Sequence, residues 1–238
     1  MPVIWLIDAY RAGEQSQVRA LVDALGWPCE TKRLTYRKHV VLPHVLGLTS
    51  LRGISADSAA MLQAPWPDLV ISSGVRNEPI CRWIRAHSGG RSRYVHVGRP
   101  WGPLSSFDLV ITTPQYRVPR HPNVLNNLLT LHSVTPQRLD EERDKWAASF
   151  AELPRPRIAV IAGGNSGPFT LGPKAASRLA HQASTLARQS GGSLLVSTSS
   201  RTSEDAIAAL RAGIDVPNYF YQWQPSDPAN PYFGILAT

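Results

Sequence analysis

The stretch RIAVIAGGNSGPFTLGPKAASRLA, Arg157 to Ala180, runs an apolar strand into a glycine-rich turn and then into a helical pattern. In that turn Gly163, Gly164 and Gly167 allow positive φ and close approach of the backbone to a ligand, while Asn165 and Ser166 add side-chain donors. With a helix starting soon after, its unpaired N–H groups and dipole favour an anion such as a diphosphate. The turn lacks the Gly-Lys-Ser/Thr ending of a Walker loop, and it is not G-x-G-x-x-G. A tight structural turn accounts for the same residues, so both readings stay open.

Three more turns carry residues of the right type. TSSRT, 198 to 202, follows the next strand, at the edge where α/β sheets present ligand groups. There Arg201 can fork onto a phosphate and Ser199 and Thr202 can donate hydroxyls. A helix cap with a solvent-facing arginine explains them as well, and Thr202 with Asp205 has capping-box spacing. DAYRAGEQSQ, 8 to 17, offers Asp8 or Glu14 as a base toward a hydroxyl, with Arg11 or Gln17 to orient it. Without chemistry, Gly13 is a turn former, Glu14 a partner of the helix dipole and Gln17 exposed helix surface. SSGVRNEP, 72 to 79, adds Gly74 for a tight turn and Arg76 as an anion contact. His96, within a strand, reads as a packed histidine rather than a general base. Cys29 and Cys81 lack metal-ligand spacing and read as small apolar residues, so no structural zinc is expected.

The elements that position these turns alternate. VIWLI (3 to 7), CETKRL (29 to 34), DLVIS (68 to 72), RYVHV (93 to 97) and DLVIT (108 to 112) are short β-branched runs, as buried parallel strands require. Val18, Leu21, Val22 and Leu25 recur at helical spacing, and Gly26 is placed to stop that helix. Ile80, Trp83 and Ile84 repeat the pattern after the third strand. Residues 1–134 therefore read as one doubly wound α/β domain. An amphipathic helix and a PRPR connector occupy 135–156. From 157 to 238 the alternation restarts with IAVIAG (158 to 163), a helix over 175–189, SLLVST (193 to 198), a helix over 204–211 and NYFYQW (218 to 223). Three strands make this second Rossmann-like domain incomplete.

Composition sets limits on class. The chain has 238 residues, 43% of them apolar, with a formal charge of +8 carried by dispersed arginines. Its longest apolar runs fall well short of the roughly 20 residues that span a bilayer. Without a leader pattern in MPVIWLIDAYRAG, a cytoplasmic location is expected. The charge favours an anionic partner. It is not clustered, and no recognisable module accompanies it, which argues against nucleic acid. TYRKHVVLPHVL, 35 to 46, mixes basic and apolar residues, so it reads either as a peripheral membrane contact or as a packed loop.

DAYRAGEQSQ, PDLVISSGVRNEP, YVHVGRP, FDLVITTPQY, HPNVL, AVIAGGNSGPF, STSSRT and NPYFGILAT run in order along the chain. In these segments it resembles the mitochondrial-fission (elongated-mitochondria) family of plants and its bacterial relatives, described as GT-B glycosyltransferases with two Rossmann domains. The resemblance implies a nucleoside-diphosphate sugar held as substrate by the second domain at Gly163 to Gly167, an acceptor, lipid or glycan, on the first, and neither a metal nor another cofactor, since helix-end dipoles and a cation can stabilise a leaving diphosphate. That family continues past NPYFGILAT, so the sequence is read as C-terminally truncated. It often has histidine or aspartate at Glu14 and arginine at Ser200. Three function classes follow: a glycosyltransferase, a non-catalytic adaptor recruited to a membrane, and a nucleotide-sugar epimerase. The last is weakened by the missing G-x-G-x-x-G turn and Tyr-x-x-x-Lys pair.

Overall fold

The computed structural model describes residues 1–37, 48–166 and 168–238. Gly167 and most of TYRKHVVLPHVL lie outside the described residues. Two compact units are present, Met1–Ser133 and Val134–Thr238.

In the first unit the chain forms β1 (Ile4–Ile7), α1 (Ala12–Leu25), β2 (Cys29–Lys32), α2 (Ala56–Ala60), β3 (Leu69–Ser73), α3 (Glu78–His87), β4 (Arg93–Val97), β5 (Leu109–Thr112) and β6 (Val124–Asn126). These strands make one parallel sheet in the order β2-β1-β3-β4-β5-β6, with Ile4 opposite both Cys29 and Leu69. Alternation along β1 explains the two cores. Ile4 and Leu6 face Val18 of α1 together with Ile71 and Val95, whereas Trp5 and Ile7 face Ile80 and Ile84 of α3. Gly26 ends α1 in the left-handed region at φ 62°, its N–H donating to the Val22 carbonyl.

The second unit contains α4 (Pro136–Phe150), β7 (Arg157–Ile161), α5 (Pro173–Ser190), β8 (Ser193–Ser197), α6 (Glu204–Ala212), β9 (Asn218–Tyr221) and α7 (Tyr232–Leu236). Its sheet is parallel in the order β7-β8-β9. Thr135 caps α4 by accepting the Arg138 N–H. Trp146 and Phe150 of that helix pack on Ile235 of α7. Both units are thus Rossmann-like α/β layers.

Several local expectations need correction. Strand β6 was not expected, because its three residues, partly or wholly exposed, form no apolar run. Gly13 sits in the first turn of α1 rather than in a loop turn. Cys81 is buried but Cys29 is exposed at the sheet edge. No capping box closes α6: Ser203 is its N-cap without a side-chain bond, and the Thr202 hydroxyl instead donates to the Gly163 carbonyl at 2.7 Å.

A single buried amide ties the carboxyl ends of β1 and β3 together. Asn77 Nδ2 donates to the carbonyls of Ile7, Asp8 and Ser73 at 3.2, 3.3 and 3.0 Å, and its Oδ1 accepts the Tyr36 hydroxyl. Asn77→Ala leaves those acceptors dry and unpaired. Unfolding in urea should show a loss of about 2–4 kcal/mol; a loss below about 1 kcal/mol would contradict this role.

Candidate functional site

Parallel strands all deliver their following loops to one edge, and a ligand in such a sheet binds where the strand order reverses. In the first unit that point lies between β1 and β3, the pair clamped by Asn77. The loop after β1 and the first turn of α1 carry Asp8, Arg11 and Glu14. The loop after β3 carries Gly74 and Arg76.

Glu14 is the unusual group. Its Oε1 lies 3.7 Å from Arg11, while its Oε2 is buried and has no hydrogen-bond partner among the described residues. Desolvation pushes the carboxyl above its ordinary value, against the pull of Arg11. Gly74 permits this arrangement. It has φ +85°, and a Cβ there would come within 2.8 Å of Glu14 Oε2. The structure therefore brings Glu14, Arg11 and Gly74 together. Arg76 is exposed and lies 5.1 Å from the centre of the Tyr10 ring.

Asp8 is placed differently. It is buried, accepts its neighbour Ala9 N–H at 3.1 Å and pairs with Arg19 at 2.9 Å. A carboxylate so engaged is a less available base than Glu14. Gln17 donates back to the Gly13 carbonyl, and it is half-buried rather than freely exposed. His96 is wholly buried and bonded through Nδ1 to the Tyr94 hydroxyl at 3.0 Å. Burial pushes its imidazole below the ordinary value, with Glu78 acting in the opposite sense, which matches a packed neutral histidine.

In the second unit the turn after β7 lies against the turn after β8. A Cβ on Gly164 would overlap the Arg201 carbonyl, and Asn165 N–H donates to that same oxygen at 3.0 Å. Gly163 and Gly164 do not use positive φ; close backbone approach is what requires Gly164. Neither glycine N–H has an acceptor among the described residues. Helix α5 begins only at Pro173, with Gly172 as its N-cap, so its first turn does not directly follow the glycines. The loop between is shaped by Asn165, whose Oδ1 accepts the Leu171 N–H at 3.0 Å, and by a backbone pair between Ser166 and Phe169. Across the contact, the Thr202 hydroxyl accepts the Ser199 N–H at 2.9 Å. Arg201 is exposed and forms no ion pair among the described residues.

The family model described as Mitochondrial fission ELM1 matches residues 12–238. The chain belongs to that family. No curated protein matches the sequence. The match spans the glycine turn, the Arg201 turn and α1 with Glu14, and it begins after the β1–α1 loop that carries Asp8 and Arg11. It says nothing by itself about chemistry at those positions in this ELM1-family chain. Among the described residues no cluster of three or more His, Cys, Asp or Glu is arranged to hold a metal ion, and no helix is long and apolar enough to cross a membrane.

Sequence reasoning missed Asn77, Tyr36, Arg19 and Arg33 in the first unit. It also missed Glu78, which is fully buried, pairs with Arg82 at 3.3 Å and accepts the N–H groups of Trp101 and Gly102 at 2.8 Å each. The available signal was Asn-Glu-Pro three residues past the glycine that follows a strand, where buried polar side chains anchor a helix start.

The raised Glu14 gives a directional test. A folded state that holds the proton more tightly than the unfolded chain is favoured at low pH and loses that advantage as pH climbs through the ordinary carboxylate range to the raised value. Glu14→Gln removes the loss. Its stability relative to wild type should therefore rise between pH 4 and pH 7 in urea unfolding; an unchanged or falling difference would contradict the buried, unpaired carboxylate.

Proposed function

We propose that this chain is a nucleotide-sugar-dependent glycosyltransferase of GT-B type, with the donor on the second unit and the acceptor on the first. The observation that carries the reading is the seating of Gly164 against the Arg201 backbone, which sets two N–H groups with no acceptor among the described residues beside a residue whose exposed guanidinium has no carboxylate partner among them. Oriented N–H donors and a guanidinium suit the paired phosphates of a nucleoside diphosphate. They are also the groups that stabilise the charge developing on that diphosphate as it leaves, without requiring a resident metal.

On the acceptor side Glu14 takes the role of base. The acceptor hydroxyl oxygen forms a bond to the anomeric carbon, the bond from that carbon to the diphosphate oxygen breaks with its electron pair going to the diphosphate, and the hydroxyl proton passes to Glu14. A carboxyl lifted above its ordinary value by burial is a stronger base once ionised, which suits that step. Arg11, 3.7 Å away, keeps the ionised form accessible. Ser199 and Thr202 are engaged within their own turn, so they position Arg201 rather than meet the ligand.

The test is thermal stabilisation of the chain by UDP, GDP, ADP and CMP. One nucleoside diphosphate should raise the melting temperature selectively, by a few degrees at roughly a hundredfold excess over its dissociation constant. Arg201→Ala, at an exposed position, should abolish most of that shift while leaving the unliganded melting temperature within about a degree. No shift with any of the four would contradict the reading and favour a non-catalytic adaptor.

A further inference from the structure

We infer that the first unit binds a phosphomonoester, so that the acceptor is a phosphorylated alcohol, held by arginines around a cavity at the ends of β1 and β2. This inference rests on the reading of that unit as the acceptor side, and it goes further by giving the acceptor its chemistry. The cavity holds about 380 Å³ and is lined by Asp8, Tyr10, Arg19, Arg33 and Tyr36 among others. That is the size of a small-molecule site.

Its charge is unbalanced. Asp8 is the one carboxylate among the lining residues, and it is shared by two guanidiniums, Arg19 at 2.9 Å and Arg33 at 3.9 Å. Asp8 also accepts the Ala9 N–H, so its lone pairs are largely committed. A third guanidinium, Arg76, lies 5.1 Å from the Tyr10 ring centre and 5.9 Å from that of Tyr36, above two rings that line the cavity. Two guanidiniums of the lining therefore meet one carboxylate, a third stands beside two of its rings, and Arg33 and Arg76 are exposed to an incoming ligand.

The geometry selects the ligand class. Cation–π contact with Tyr10 and Tyr36 restricts the Arg76 guanidinium, and a restricted planar fork favours a tetrahedral dianion over a monoanion by offering paired N–H groups to two oxygens. Glu14, the base of the proposed transfer, stands in the first turn of α1, directly after the loop that carries Asp8 and Tyr10, and it packs on Gly74, two residues from Arg76. An acceptor anchored by its phosphate at the arginines thus presents a neighbouring hydroxyl toward that carboxylate. A soluble phosphorylated polyol and a phosphatidate headgroup share this chemistry.

Binding is measured in the Arg201→Ala background, which removes the proposed donor contact as a second phosphate site. Glycerol 3-phosphate is titrated by calorimetry, and vesicles of phosphatidylcholine with or without phosphatidic acid are tested by co-sedimentation. Binding to one probe should weaken at least tenfold when Arg33→Gln and Arg76→Gln are added, and should recover only in part in the lysine pair, Arg33→Lys with Arg76→Lys, which restores the charge but not the paired N–H fork. Response to glycerol 3-phosphate assigns a soluble acceptor, and response to phosphatidic acid alone assigns a lipid one; either supports the inference. No binding to either probe, or binding indifferent to the glutamine pair, overturns it. The nucleotide shift of the unaltered chain reports the donor reading separately, so the two can fail independently.

Discussion

The absence of a side chain at Gly164 is the constraint on which the loops at the carboxyl edge of the second unit's sheet depend. With a Cβ in that place the β7 turn could not lie backbone to backbone with Arg201, and the bonds that follow from the contact, Asn165 to Arg201 and Thr202 to Gly163, would be lost together. The first unit solves the same problem by another route. There the buried amide of Asn77 fastens β1 to β3, and Gly74 leaves room for the Glu14 carboxylate. In both units the sheet supplies rigidity and one residue type, chosen for what it lacks or for how many bonds it makes, sets the spacing of the loops above it.

Strands and helices were legible because burial imposes period. Parallel strands covered on both faces must be continuously apolar, and α1 must present Val18, Leu21 and Val22 on one side. Where burial relaxes, the signal goes. Strand β6 carries no apolar run, and its pairing with β5 rests on backbone bonds that any sequence can supply. The placement of Glu14 at the first turn of α1 was readable from the turn residues before it. That its carboxylate meets Gly74, 60 positions along, was not, because nothing in either local sequence encodes the approach of two loops.

Glycine chemistry was the harder case. A run of glycines invites an expectation of positive φ, yet Gly163 and Gly164 do not use it; the demand at Gly164 is steric and comes from a residue in another turn. The same holds for Thr202, whose spacing to Asp205 fits a helix cap while its hydroxyl is claimed by the Gly163 carbonyl. Local propensity lost to tertiary contact in both places, and both lie on the edge where ligand binding is proposed. The +8 charge, diffuse in sequence, likewise becomes informative only once folding sets Arg19 and Arg33 on a single carboxylate and Arg76 beside the Tyr10 ring.

The most direct measurement is the backbone amide spectrum of the isotopically labelled protein during titration with the nucleoside diphosphate that binds best. The Gly163 and Gly164 amides should shift downfield and saturate together, as N–H groups without an acceptor among the described residues gain phosphate acceptors. If those two amides stay in place while the nucleotide binds, the glycine turn is a packing device and the donor site lies elsewhere.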